Sequence, residues 1–112
     1  MGAFIKNSDG VKSVLPNHTI YYKFGLSDST ETILLESNSR GAINVVIPRA
    51  GASDWPKKNI APDVVIAVPY TSSKLSAEID VGDIGIGGFT AYLKNTGGTS
   101  AYFKVMWLAI WK

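Results

Sequence analysis

Apolar side chains recur at every second position along several short stretches of the chain. The stretches are residues 20–26, 75–81 and 89–93, and in each of them polar or mixed residues occupy the intervening positions. A period of two is typical of a β-strand with one face toward a core and the other toward water. We therefore expect the apolar side of each stretch to face a core.

The same pattern predicts a chain made of short strands that are separated by turns. Clusters of Ser, Asn, Asp and Gly mark the turns. The expected strands lie near residues 2–6, 18–26, 31–36, 42–48, 62–70, 74–81, 88–94 and 101–111. Short strands at regular spacing favour an antiparallel β-sandwich, and we expect residues 1–112 to form a single domain. Residues 50–61 lack strand character and are expected to form a surface loop between the two halves of the fold.

Two of the predicted strands are apolar on both faces, namely residues 64–68 and 105–111. A strand of a two-layer sandwich has only one face against its own core, so its second face needs another cover. In a chain without a spare helix, a second copy of the same chain is the economical cover. We therefore expect a homo-oligomer, with these residues at its interface: Val64, Ile66, Met106, Leu108 and Ile110.

Composition limits the function classes that need to be considered. The 112 residues are 46% hydrophobic and 18% charged, which is enough apolar material for a core, and there is no cysteine for disulfides or thiolate chemistry. The net charge is +2 with scattered basic residues, so we expect no nucleic-acid partner. No apolar run is long enough to cross a bilayer, and no signal pattern is visible at the start. We expect no membrane insertion and synthesis in the cytoplasm without a signal peptide.

The second half of the sequence resembles the H-type lectin domain. The resemblance rests on residues 61–65 (APDVV), 77–81 (AEIDV), 88–91 (GFTA) and 103–110 (FKVMWLAI), which occur in the family's order and at similar spacing. It covers about residues 60–111. The resemblance implies a six-stranded antiparallel β-sandwich that assembles as a trimer, with sugar sites in clefts between subunits. Domains of this family occur in invertebrate agglutinins, in slime-mould discoidins and at the tips of phage tail fibres.

The sequence departs from the family where sugar recognition is concerned. The family has a sugar-clamping arginine on the strand equivalent to residues 75–81, where this chain has Ser76 and Ala77 and no arginine. The family's aromatic and histidine-bearing loop corresponds here to residues 94–100, which contain neither His nor Trp. The resemblance therefore implies the scaffold and its trimer, and no sugar-binding residue is transferred from it.

No catalytic constellation emerges, and we expect that the protein is not an enzyme. The one histidine, His18, has no acid or nucleophile near it in the pattern. Glu78, Asp80 and Asp83 place three carboxylates within six residues, which suits calcium but equally suits a solvated strand face that ends in a turn. We expect no cofactor, with calcium as the alternative.

Exposed aromatic rings beside polar groups are the best candidates for a ligand site, because indole and phenol rings stack on the apolar faces of sugars. Trp55 lies in an irregular loop, while Tyr92, Lys94, Asn95 and Tyr102 flank the turn at residues 95–100. For each aromatic residue the alternative is a structural role, as a loop anchor or as part of an oligomer interface. These five residues are the predicted ligand-binding set.

The sequence thus favours a non-catalytic recognition module that binds a cell-surface glycan or similar receptor as a homotrimer. The expected setting is the tip of a phage or prophage tail fibre or baseplate, in the virion tail or outside the cell after non-classical release. The alternative is a structural trimeric virion or assembly protein that has no sugar ligand.

Overall fold

The computed structural model describes residues 3–7, 10–15, 18–71 and 76–112, and these residues form nine strands and no helix. Accordingly, this part of the chain has no helix with the length and apolar content needed to span a membrane. The strands are β1 (Ala3–Asn7), β2 (Gly10–Leu15), β3 (His18–Leu26), β4 (Ile33–Leu35), β5 (Arg40–Val46), β6 (Val64–Tyr70), β7 (Ala77–Gly82), β8 (Gly88–Asn95) and β9 (Ala101–Trp111).

The strands form two antiparallel sheets. The large sheet has the order β1-β2-β3-β9, and the small sheet has the order β5-β8-β7. Strand β9 is the centre of the large sheet, because β3 and β4 pair with successive parts of one of its edges and β6 pairs with the other edge. The expectation of an all-β, antiparallel protein is confirmed.

Most strand positions agree with the alternation in the sequence. Strands β3 and β9 have the expected bounds, and the others with an expected counterpart begin and end within three residues of it. Strand β2 was not predicted; it is a short segment with two polar residues whose place depends on pairing with β1 and β3. Three residues of the predicted strands, Gly2, Lys74 and Leu75, lie outside the described residues.

The two sheets pack against each other through alternating side chains. In β9 the odd-numbered residues from Phe103 to Trp111 are buried, and in β8 the buried apolar residues are Phe89, Ala91 and Leu93. The rings of Phe89 and Trp107 meet edge to face across the layers at 6.1 Å. Burial of each large side chain contributes about 1.5–3 kcal/mol, so this shared core holds the sandwich-like arrangement together.

Strand β3 has the opposite orientation to the expected one. Lys23, which we expected on the water side, is 1% exposed, whereas Phe24 is 59% exposed on the outer face of the large sheet. The interior accommodates Lys23 because its Nζ donates a hydrogen bond of 2.8 Å to the carbonyl of Pro48 and lies over the Trp55 ring. The prediction that the apolar side of residues 20–26 faces the core is wrong.

The segment between β5 and β6 closes one end of the core. Turns follow one another from residue 48 to residue 60, and the polar side chains of this segment are mostly exposed. Trp55, however, is 3% exposed and packs edge to face on Trp111 at 5.1 Å and on Tyr21 at 6.1 Å. The expectation of a surface loop therefore holds for its polar residues but is wrong for Trp55, whose apolar ring is more stable inside the core.

The connection between β3 and β4 is tied to the small sheet by carboxylates. Glu31 accepts hydrogen bonds from the backbone N–H of Val46 at 2.6 Å and from that of Asp28 at 3.2 Å. Asp28 in turn accepts hydrogen bonds from the hydroxyl and N–H of Thr30, and the hydroxyl bond in particular lowers the pKa of Asp28 below its usual value. This connection thus fixes the start of β4 beside β5.

Candidate functional site

The outer face of the small sheet carries a groove of about 380 Å³. Strand β8 lies in the middle of this sheet and points Tyr92 and Lys94 outward, between their buried neighbours. Outward side chains of β5 and β7 complete the walls. We call this surface the charged groove and define it by Arg40, Ala42, Glu78, Asp80, Tyr92 and Lys94.

Strand register fixes the order of charges across the charged groove. Lys94 on β8 lies opposite Arg40 on β5 and opposite Glu78 on β7. In the next outward row, Tyr92 lies between Ala42 and Asp80. Within the described part of the chain, the four charged side chains of the groove form no ion pair or side-chain hydrogen bond. Their full charges are therefore available to a ligand.

The phenol ring of Tyr92 is held in place from one side. Its hydroxyl donates a short hydrogen bond to the carboxylate of Asp83, and this bond raises the pKa of Tyr92 above its usual value. One edge of the ring passes over Gly82, where an added Cβ would lie 3.0 Å from Tyr92 Cε2. The ring is 46% exposed, so a pre-oriented aromatic surface borders the charged groove.

The structure brings together two of the five predicted ligand-binding residues. Tyr92 and Lys94 share the charged groove. Tyr102 is 65% exposed, but it lies on the outer face of the large sheet, on the opposite side of the molecule. Trp55 is buried in the core, so its ring is not accessible for stacking on a ligand, and its predicted role as an exposed binding residue is wrong.

Asn95 is also unavailable to a ligand, which corrects its predicted role. It is 2% exposed, and its Nδ2 donates hydrogen bonds of 2.9 Å to the carbonyls of Leu35 and Thr99. Its Oδ1 accepts a hydrogen bond of 2.9 Å from the N–H of Gly97. The amide therefore shapes the turn after β8 and links it to β4. Its sequence context in a Gly-rich turn fits this structural role.

A second candidate surface covers the outer face of the large sheet. Three cross-strand rows of apolar side chains run from β3 over β9 to β6. Each of these side chains is half-buried or exposed, and none carries a charge. We call this surface the apolar face and define it by Tyr22, Phe24, Leu26, Val64, Ile66, Val68, Met106, Leu108 and Ile110.

All five residues predicted for an oligomer interface lie on the apolar face. The sequence missed the contribution of β3, because its apolar side was expected to face the core. Contiguous apolar patches of more than a few hundred Å² are rare on monomeric proteins, and they mark surfaces that bind another molecule. An apolar face of this composition is typical of a surface that another molecule covers.

The three carboxylates of residues 78–83 lie in two different settings. Glu78 and Asp80 lie on the exposed side of β7, and Asp83 is engaged by the Tyr92 hydroxyl. Among the residues that the structure describes, no group of three His, Cys, Asp or Glu side chains is placed to hold a metal ion. Glu78 and Asp80 form one wall of the charged groove.

Arg40 is a charged residue of the groove that was not among the predicted ligand-binding residues. The strand was expected to begin near residue 42, so Arg40 was assigned to the preceding turn. Its place beside Lys94 follows from the pairing of β5 with β8, which alternation within one strand does not reveal.

No family model, curated protein sequence or solved structure matches the chain.

Proposed function

We propose that the protein is a non-catalytic recognition module that binds a cell-surface glycan or similar receptor through the charged groove and assembles as a homotrimer through the apolar face. The observation that carries the proposal is the contrast between the two outer surfaces. One sheet presents an uncharged apolar face, and the other presents charged side chains without intramolecular partners beside an oriented tyrosine ring.

The charged groove and the apolar face lie on opposite sides of the protein, so assembly and ligand binding do not compete for one surface. Copies that associate through the large sheet keep the small sheet, and with it the charged groove, directed away from the assembly. Several copies of a shallow site on one assembly bind a glycan-covered surface with an avidity that one site lacks. Each groove is complete within one protomer, in contrast to the shared clefts that the family resemblance implies.

The proposal includes the H-type lectin resemblance and the setting that follows from it. In its favour, three of the four segments that carry the resemblance lie within β7, β8 and β9, and the first, residues 61–65, runs into the start of β6. The proposed setting is a phage or prophage tail-fibre or baseplate tip that attaches to a host surface, or an extracellular location after non-classical release. Fold alone does not define a ligand, so the groove carries the functional part of the proposal.

The test compares two exposed tyrosines on a glycan array. We expect the full chain to bind a subset of glycans, and Tyr92→Ala to weaken that binding about tenfold, the equivalent of about 1.4 kcal/mol of lost stacking. Tyr102→Ala is the matched control, because its ring is exposed on the opposite sheet, and it should keep binding. Loss of binding in Tyr102→Ala with retention in Tyr92→Ala would contradict the assignment of the groove.

The second candidate function is a structural trimeric virion or assembly protein without a sugar ligand. It is favoured by the apolar face alone, because a contiguous apolar surface favours association whether or not the charged groove is occupied. An intact trimer that binds no glycan on the array would support this alternative over the recognition module.

A further inference from the structure

The positively and negatively charged side chains of the charged groove follow one another in the direction from β5 to β7. Arg40 lies on the β5 side, Lys94 is in the middle, and both Glu78 and Asp80 lie on the β7 side. Adjacent strands are about 4.8 Å apart, so the cationic and anionic walls are separated by roughly 10 Å. This width fits one sugar ring together with its substituents.

The cationic side of the groove lacks an anion. Arg40 and Lys94 are directly opposite each other in the register of β5 and β8, and like charges in that position repel each other. Glu78 on the far side of Lys94 offers one carboxylate to that row of two cations. Within the described residues Arg40 makes no ion pair, so its exposed guanidinium is open to a carboxylate of a ligand.

We infer that the charged groove selects a sugar that bears a carboxylate, such as a uronic acid residue, with the carboxylate on Arg40 and the ring on Tyr92. A guanidinium binds a carboxylate through two parallel hydrogen bonds, and such charge-assisted bonds are stronger than neutral ones. Lys94, between Arg40 and Glu78 in the middle of the row, adds a second positive charge beside the guanidinium.

The anionic wall complements the rest of such a sugar. Ionised Glu78 and Asp80 only accept hydrogen bonds, which suits the hydroxyl groups of a sugar ring. The same wall repels ligands that carry several negative charges, which favours a single carboxylate over a phosphate dianion. Tyr92 lies between the two walls with its hydroxyl tied to Asp83, so its ring offers a surface to the apolar face of the sugar.

This inference rests on the proposed function, and the experiment separates the two. Polymers that display glucuronic acid, glucose or glucuronamide are titrated against the immobilised full chain at low and high salt. We expect the glucuronic acid polymer to bind at least about tenfold more tightly than the two uncharged ones at low salt, as one charge-assisted contact provides. Salt should reduce this preference, because it screens exposed charges.

Two substitutions test whether Arg40 causes the preference for the glucuronic acid polymer. Arg40→Gln should abolish the preference for the carboxylate, so that the glucuronic acid and glucuronamide polymers bind equally. Lys58→Gln is the matched control, since Lys58 is an exposed cation in the segment between β5 and β6, and it should behave as the unaltered chain does. The thermal midpoint of each variant verifies that it is folded.

The remaining outcomes are distinguishable. Equal binding of all three polymers that is lost in Tyr92→Ala would overturn the carboxylate inference and leave the proposed function standing. A carboxylate preference that persists in Arg40→Gln would also overturn the inference. Absence of binding to these polymers, and to every glycan on the array, would overturn both the inference and the proposed function.

Discussion

The ammonium group of Lys23 lies 4.5 Å from the centroid of the Trp55 indole ring, inside the sandwich-like core. Trp55 also packs on Trp111, and its Nε1 finds no hydrogen-bond acceptor among the described residues. The ring therefore acts through packing and through its attraction for the buried cation. It belongs to the interior of the protein rather than to a binding surface.

Replacement of Trp55 should lower stability without changing glycan recognition. We expect Trp55→Ala to reduce the free energy of unfolding by about 3–5 kcal/mol, as the loss of a large core side chain does. Trp55→Phe should be milder, because it keeps a ring and removes the unpaired N–H. Urea denaturation measures both values. Unchanged stability together with lost glycan binding would instead make Trp55 a surface ligand-binding residue.

Asn95 should behave as a structural residue as well. Asn95→Ala leaves the N–H of Gly97 and the carbonyl of Leu35 without their partner, and we expect a loss of about 1–3 kcal/mol in the free energy of unfolding. Asn44→Ala, on the exposed side of β5, is the control and should stay within about 0.5 kcal/mol. Equal effects of the two substitutions in urea denaturation would contradict the role of Asn95.

Gly88 is required by the close approach of β5 and β8. A Cβ at this position would lie 2.1 Å from the carbonyl oxygen of Val45, which belongs to the backbone and does not move freely. We expect Gly88→Ala to destabilise the protein by about 1–3 kcal/mol, the usual range for an overpacked site. Gly98→Ala, which meets nothing within 4 Å, should be neutral in the same denaturation experiment. A neutral Gly88→Ala would show that the sheet adjusts at this point.

Asp28 should make the stability depend on pH in the acidic range. Its pKa is lowered in the folded protein, first by the hydrogen bond from the Thr30 hydroxyl. A lowered pKa stabilises the fold above the unfolded value of about 3.9, and the stabilisation is lost as the pH falls through the folded value. The thermal midpoint of the unaltered chain should therefore exceed that of Asp28→Ala at pH 7, and the difference should vanish in strong acid. A difference that is constant with pH would contradict this role.

The bounds of β9 could be predicted from the sequence because apolar residues occupy both faces of most of this strand. Residues 105–111 alternate between core side chains such as Trp107 and outer-face side chains such as Leu108, and both kinds are apolar. A strand of that composition belongs in the middle of a sheet, and β9 pairs on both edges.

The orientation of β3 was not predictable from its own alternation. The strand has an apolar side and a mixed side, and burial of the apolar side is the ordinary choice. Here Phe24 pairs with Leu108 on the outer face, while Lys23 is held inside by the Pro48 carbonyl and the Trp55 ring. Those partners come from a loop and a strand far away in the sequence.

The charged groove was predictable only in part for a related reason. Tyr92 and Lys94 share one strand, so their common face follows from the period of two. Arg40 and Glu78 join them through the order β5-β8-β7 and through the pairing register, and neither is visible in a single strand. Trp55 and Asn95 were misassigned because burial of loop residues depends on how the loop packs.

The apolar face yields a prediction that uses two matched valines. Val68 on the apolar face and Val46 on the small sheet are both exposed in one copy of the chain. Val68→Lys should dissociate the assembly while the monomer remains folded, because a charge then lies in the buried contact. Val46→Lys should leave the assembly intact. Size-exclusion chromatography with light scattering measures the mass of each variant, and dissociation by Val46→Lys alone would place the interface on the other sheet.

The most direct measurement is the mass of the unaltered chain in dilute solution, obtained by sedimentation velocity at micromolar and lower concentrations. We expect three times the mass of one chain. A stable single chain, whose Met106, Leu108 and Ile110 side chains remain in contact with water, would contradict the account of how this protein assembles and presents its grooves.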